Sequence, residues 1–565
     1  MTDPNPILDY WRGEVRSLKN MSSKRFVFFF FLILLAAGCI PQSLPMPFPF
    51  AGKDKAAANK PLTLWVSPEI PSDVRNRLHL PAVLLLSDQA QTADLKLTIG
   101  NQRVISHLVY ALTAPFPTIP DGVTSQDLHN TWSGSLTGPF ATAPILMEEN
   151  TYQVLSAWWG KPSAQSVKVL PADQLVETAW SQRPSWAIIP FEKLSPRWKV
   201  LQVDGISPIH KDFNLQQYAL SAPLSLEGNP RAAELVASVY GEKAGDALLP
   251  LNRDPRRMTV LAMTGVTALV RATAATMESQ GITYPAQDIG GLLSGADLTH
   301  ISNEVAFSKD CPAPDPNTES MTFCSASKYI ELLEFVGTDI VEMSGDHFAD
   351  WSQEAMLYTL DLYQQHKWLV YGGGANLQEG RKPISVQDHG NRLAFIGCNA
   401  KGAPYATASD TNPGAVICDF DYMHKEISRL RTESVLPVAT FQHVEYYVYE
   451  AQPDQVKDFR GMAQAGAVIV SGSQAHQPQA MEFYKDEKTA NESFIHYGLG
   501  NLFFDQYNLS EDTRQAFIDQ HVFYDNRYIS TELVPIIFID FARSRRMTAA
   551  EAQPLLQKVF TASGW

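Results

Sequence analysis

Between residues 259 and 506 the chain repeats one device, a short apolar run rich in branched side chains that ends in small or polar residues. Thr259-Val260-Leu261-Ala262-Met263 runs into Thr264-Gly265-Val266, and Leu298-Thr299-His300-Ile301 runs into Ser302-Asn303-Glu304. Trp368-Leu369-Val370-Tyr371 ends in Gly372-Gly373-Gly374, Leu393-Ala394-Phe395-Ile396 in Gly397-Cys398-Asn399, and Val468-Ile469-Val470 in Ser471-Gly472-Ser473; the stretch His496-Tyr497-Gly498-Leu499-Gly500-Asn501 closes the series. Runs this short, without polar alternation, are what parallel strands covered on both faces require. They point to a layered α/β domain whose chemistry collects at the carboxyl ends of the strands.

The stretch Ile340-Val341-Glu342-Met343-Ser344-Gly345-Asp346-His347 carries the sharpest chemistry. Residues 335–341 read as a buried strand, and Gly345 permits a tight turn presenting Asp346 and His347 at its end. A carboxylate beside an imidazole binds a metal ion or shuttles a proton. Taken alone, the same tripeptide is more often a helix start with Asp346 as its cap. In a single doubly wound sheet, loops after neighbouring strands share one edge, so Glu304, Asp346, His347 and His476 are expected in one cleft.

A chain of 565 residues sets an expectation of two folded domains plus a leader. Its formal charge of -15 argues against nucleic-acid binding, and Arg256-Arg257 with Arg543, Arg545 and Arg546 read as solvated surface. Gly372 to Gly374 lack the Lys and Ser/Thr of a phosphate loop, which argues against a nucleotide. The aromatic pairs Phe503-Phe504 and Tyr446-Tyr447 read as packing rather than as a stacking platform.

Ser22-Ser23-Lys24-Arg25 followed by the apolar residues 26–37 reads as an export signal, since the apolar segment is short for a membrane span. It ends in Leu35-Ala36-Ala37-Gly38-Cys39, which resembles the bacterial lipobox and implies lipidation at Cys39; an uncleaved membrane anchor is the alternative. Residues 1–20 fit no signal pattern, so Met21 is the expected start. Residues 41–60, rich in Pro, Ala and Lys, read as a tether. Residues 61–225 alternate short strands with helical stretches, and around 110–132 and 186–224 they resemble a small two-lobed, phosphate-binding-like periplasmic solute-binding domain. That resemblance implies a small-molecule ligand between lobes or an empty or repurposed pocket. Residues 226–258 read as a linker with one amphipathic helix, 259–545 as the second domain, and 546–565 as a carboxyl-terminal helix. Export makes disulfides possible. Pairing Cys311 with Cys324 and Cys398 with Cys418 would close two short polar loops, with four free thiols as the alternative.

The ordered motifs of the second domain resemble the capsule synthesis protein CapA family over roughly residues 260–541. Ser302-Asn303-Glu304 looks like the family's Asn-Leu-Glu turn, Gly345-Asp346-His347 like its Asn-Asn-His turn, and Gly372-Gly373-Gly374 like its Gly-Ala-Gly segment. Tyr497-Gly498-Leu499-Gly500-Asn501-Leu502-Phe503 looks like its Tyr-Ser-Leu-Gly-Asn-Phe segment. The resemblance implies a layered domain similar to calcineurin-like metallophosphoesterases. It also implies a membrane-anchored envelope lipoprotein that serves an anionic surface polymer, a poly-γ-glutamate-like capsule, or the machinery that makes it. Departures thin the metal site. The family's Gly-Asp is Gly265-Val266 here, its paired histidines are Gln474 and His476, and its His-Trp-Gly-x-Glu region is Phe441-Gln442-His443-Val444-Glu445. The remaining metal ligands are Glu304, Asp346, His347 and His476, with Asn303, His443 and Glu445 as further candidates; Asp346, His347 and His476 are the candidate catalytic residues. These residue types suit one Mn, Zn or Fe ion, or a hydrogen-bonded cluster without one. A secreted metal-dependent phosphoesterase and a ligand-sensing solute-binding lipoprotein are the alternative functions.

Overall fold

The computed structural model describes residues 61–565 apart from 136–137, 142, 244, 246, 403 and 487–491. The export signal, Cys39 and the tether lie outside the described residues.

The amino-terminal part of the described chain is organised on one long strand, Val104–Pro115, buried along nearly its whole length. Its first half pairs with Ser221–Gly228, and its second half pairs with Trp186–Pro190 and Trp198–Val203. Leu62–Val66, Leu84–Leu86 and Leu95–Ile99 extend the sheet on one side, Ile145–Met147 and Val167–Val169 on the other. Two halves therefore share a strand, with Asp73, Tyr110, Glu148, Glu192 and Asn252 between them around a space of about 10 Å³. That is room for roughly one water. Asn252 fills the rest: its Oδ1 accepts from the Val109 amide at 2.8 Å, and its Nδ2 donates to the Val109 carbonyl at 2.9 Å and to Glu192 at 2.5 Å. The core of this domain continues into Met258, Val260, Val522 and Tyr524 of the next.

The residues from 258 onward form four layers. One sheet runs Leu369–Tyr371, Ile340–Glu342, Leu298–Asn303, Met258–Thr267, Gln515–Tyr524, Arg527–Ile539, Arg543–Arg546, with Asn501–Phe503 beside Met258–Thr267. A second runs Ile384–Asp388, Asn391–Asn399, Leu436–Gln442, Ile469–Ser471, Glu492–His496, Met481–Lys485. Leu261, Met263, Phe395, Val438, Phe494 and Phe517 pack between the sheets. Ala262, between Leu261 and Met263 in sequence, faces the opposite way onto helices Arg271–Gln280 and Gln353–His366, as the two-residue period of a strand demands. Helices Phe420–Thr432 and Pro453–Ala465 cover the outer face of the second sheet through Ile427, Phe459 and Met462. Helix Ala549–Ala562 packs against the inter-sheet core through Leu555, Val559 and Phe560.

Three expectations are corrected. Residues 335–341 are not one strand: helix Ile330–Phe335 ends there, and the strand is only Ile340–Glu342. Leu332, Leu333 and Val336 pack at helical spacing, and Gly337 at φ 72° supplies the left-handed exit, so the apolar run straddles a helix end and a strand. Thr264-Gly265-Val266 is not a turn but the end of strand Met258–Thr267, which bulges between Met263 and Val266. Gly265 is needed there because a Cβ would lie 1.8 Å from the Gly500 carbonyl oxygen. Finally, the strand ends that converge belong to two facing sheets rather than to one.

The clustered arginines form no basic groove. Arg256 pairs with Asp254 at 2.7 Å, Arg257 with Asp525, Arg545 with Glu551 at 2.7 Å, and Arg543 lies 3.4 Å from Asp288.

Candidate functional site

The loops following strands of both sheets meet at one edge. Leu298–Asn303 delivers Glu304, Ile340–Glu342 delivers Asp346 and His347, Asn391–Asn399 delivers Lys401, Leu436–Gln442 delivers Glu445, and Ile469–Ser471 delivers His476. A polar seam between the sheets sits just below. Buried Glu342 accepts from Ser344 at 2.6 Å, from Ser302 at 3.1 Å and from Ser473 of the opposite sheet, and burial pushes its carboxyl up. A seam fully satisfied in this way holds the two strand edges in one register.

Ligand atoms of Glu304, Asp346 and His347 lie within 4.8 Å of one another, as do those of Glu304, Glu445 and His476. Glu304 belongs to both groups. It is fully buried and neither oxygen has a hydrogen-bond partner among the described residues; Asp346 Oδ1 is also unpartnered. Burial raises the Glu304 carboxyl to about 7, although the His476 and His347 charges pull the other way. A buried carboxylate left without a donor is costly to the fold and is a group that a cation would satisfy.

Both histidines are oriented from behind. His347 Nδ1 donates to Asp350 at 2.7 Å, and Asp350 also accepts from the Phe323 amide at 3.0 Å. His476 Nδ1 lies 2.8 Å from Asn501 Oδ1, an acceptor because Asn501 Nδ2 donates to the Thr513 and His476 carbonyls. Each Nε2 is thereby left toward the centre, and that of His476 sits 4.0 Å from Glu304 and 3.7 Å from Glu445. A carboxylate or amide behind the imidazole is the usual support of a metal-ligating histidine. Burial disfavours the His347 cation, yet the Asp350 hydrogen bond and the charges of Glu304, Asp346 and Asp350 outweigh it and raise His347 to about 9. Burial likewise opposes the charge on Glu445, but His476 and Lys401 hold it down to about 2.

Glu304, Asp346, His347, His476 and Glu445 are thus brought together, whereas Asn303 and His443 are not. Asn303 Nδ2 is turned to the Val305 carbonyl and the Tyr363 hydroxyl, both at 2.7 Å. His443 faces Asp458 at 3.1 Å. Val266 lies in an apolar cluster with Val305, Phe323 and Phe504. Lys401, unmarked in sequence because a lysine after a strand usually faces water, bonds Asp346 at 2.6 Å and Glu445 at 2.5 Å. Asp350 and Asn501, adjacent to recognised motifs, also emerge only with the coordinates.

The centre opens into a cleft of about 480 Å³. His347, Lys401, Glu445 and His476 line it, with Arg271, Tyr447 and Phe504 on its walls. The Arg271 guanidinium lies 5.2 Å from the Phe323 ring centre and 5.0 Å from that of Phe504 and donates to the Asp505 carbonyl. Tyr447 and Phe504 therefore face the cleft, while Phe503 is core. The Cys311–Cys324 disulfide closes a loop that lends Pro316, Thr318 and Met321 to the rim, and Cys398–Cys418 is the second disulfide.

Residues 260–506 match the family described as bacterial capsule synthesis protein PGA_cap. Over this span the chain is similar to the bacterial capsule synthesis protein family. The "Capsule biosynthesis protein CapA" of Bacillus anthracis is 21% identical over 54% of the chain and 73% of its own length. The "PGA biosynthesis protein CapA" of Bacillus subtilis is 25% identical over 37% of the chain, an alignment spanning about half of that relative, 52%. Among solved structures, a 5'-nucleotidase precursor from Thermus thermophilus aligns over 54% of the chain and 59% of its own, with 11% identity and a TM-score of 0.33. An ABC-type phosphate transport receptor from Vibrio cholerae aligns over 31% and 92%, with 12% identity and a TM-score of 0.25. All five converging candidate ligands lie within the matched span.

Proposed function

We propose that this chain is an envelope protein that takes part in synthesis, export or anchoring of an anionic surface polymer, with the cleft of the capsule-synthesis domain as its working site. The observation that carries the reading is the cleft itself: Arg271 and Lys401 present two cations beside a buried carboxylate and imidazole centre, inside the family-matched span. Carboxylate or phosphate groups of a polymer strand would meet Arg271 first, since its guanidinium is fixed between two rings. Glu304, Asp346 and His347 would hold a divalent ion, their donor set being hard oxygens with one imidazole. Such an ion, when bound, supplies Lewis-acid polarisation of a ligand oxygen. Among the described residues no helix is long and apolar enough to cross a membrane. Attachment to the membrane would come through Cys39, the residue that closes the lipobox-like segment.

Deleting the gene is expected to reduce cell-bound anionic polymer, with restoration by the wild-type gene and not by Glu304→Ala or His347→Ala. Unchanged polymer on the deletion strain would sink the proposal. A second reading, a metal-dependent phosphoesterase, is favoured by the unpartnered Glu304 and the His347–Asp350 support. Manganese-dependent hydrolysis of a nitrophenyl phosphate diester by the purified protein tests it. Between the two halves of the amino-terminal region, Asp73, Glu148 and Glu192 enclose room for about one water, too little for a small-molecule ligand at that place.

A further inference from the structure

We propose that Lys401 is a resident cation standing where a second divalent ion would go, so that the centre holds one ion, bound by Glu304, Asp346 and His347. This deepens the metal-site reading above and is independent of which polymer is served.

The two ligand groups share Glu304, a layout that would let one carboxylate bridge two ions. The Lys401 ammonium takes one carboxylate from each group, Asp346 Oδ2 at 2.6 Å and Glu445 Oε1 at 2.5 Å. Among the described residues, Asp346 Oδ1 and both oxygens of fully buried Glu304 remain without a partner, while the His347 proton is committed to Asp350 on the far side of the ring. All three atoms are found in the Glu304, Asp346 and His347 group, while the other group has only the shared Glu304 left to offer. In the other, Glu445 is already matched by Lys401.

Lys401 is also built in place. The Ala400 amide donates to the Gln442 carbonyl at 2.7 Å, Asn399 Nδ2 donates to the Ser344 carbonyl at 2.9 Å, and the Gly402 amide donates to Asn399 Oδ1 at 2.9 Å. Cys398–Cys418 ties the same strand end to the neighbouring loop. Both neighbours of Lys401 are therefore pinned, and the ammonium is a fixed feature of the centre. Charge agrees: before the imidazoles are counted, one divalent ion and the Lys401 ammonium already supply three positive charges for the three carboxylates of the two groups, and a second ion would add two more.

The test counts ions. Wild type, Lys401→Met and Lys401→Arg are loaded with excess manganese, desalted and measured by elemental mass spectrometry, with circular dichroism confirming the fold. One ion per chain is expected in the wild type and in Lys401→Arg, and two in Lys401→Met. Two ions or none in the wild type, or no increase in Lys401→Met, overturns the proposal. Should Lys401→Met fail to fold, the manganese electron paramagnetic resonance of the wild type decides: an isolated-ion signal supports the assignment and an exchange-coupled pair refutes it. The ion count stands apart from the polymer phenotype, so either reading can fail alone.

Discussion

Replacing Glu304 with Gln should stabilise the metal-free protein at pH 8, which few substitutions of a buried charged residue do. Burial lifts this carboxyl from an ordinary 4.5 to about 7, and nothing among the described residues donates to it. Below pH 4.5 the group is protonated both folded and unfolded, and it costs nothing extra. As pH rises through 4.5 the unfolded chain ionises first, so stability falls until the folded group ionises near 7. The full penalty above that is about 3 kcal/mol, at about 1.4 kcal/mol per pH unit. Gln keeps the shape and removes the charge. Part of the gain is lost because Glu304 is one of the charges raising His347 and His476. A net gain of about 1–2 kcal/mol at pH 8, shrinking toward zero near pH 5, is expected. Urea midpoints in EDTA at both pH values read this directly, with the slope unchanged. Manganese should reverse the order, since a ligand at a hundredfold over its Kd adds about 2.7 kcal/mol to a chain that binds it. Equal or lower midpoints for Glu304→Gln at pH 8 in EDTA would refute the picture of an unpartnered buried carboxylate.

Asp350→Asn keeps the size but weakens the support behind His347, and manganese affinity by calorimetry should fall roughly 10- to 100-fold with the fold intact; an unchanged affinity would remove Asp350 from the centre. Cys398→Ser with Cys418→Ser opens a loop of sequence separation 20, which should cost about 3 kcal/mol in denaturant unfolding and loosen the Lys401 turn, raising manganese bound per chain under excess metal. Cys39→Ser should move the protein from the detergent phase to the aqueous phase in cell fractionation, and unchanged partitioning would reject lipidation at that residue.

Local sequence was enough to announce strands ending in functional turns, because apolar runs and glycines act within a few residues of themselves. Asp346, His347, Glu304 and His476 stood out for that reason, and the neighbour pairing of the cysteines followed from loops that close on themselves. What no local pattern carried was the meeting of two sheets. That meeting admitted Glu445 and excluded His443 only two residues away, because the loop after Leu436–Gln442 turns one side chain to Lys401 and the other to Asp458. It drew Asn303 aside, since Tyr363 on a helix sixty residues on offers a better-placed hydroxyl. It set Lys401, a residue with no sequence signal, between two carboxylates from distant strands. Ion pairing across a fold depends on distance in space, and for residues separated by dozens of positions that distance is decided only when the sheets pack.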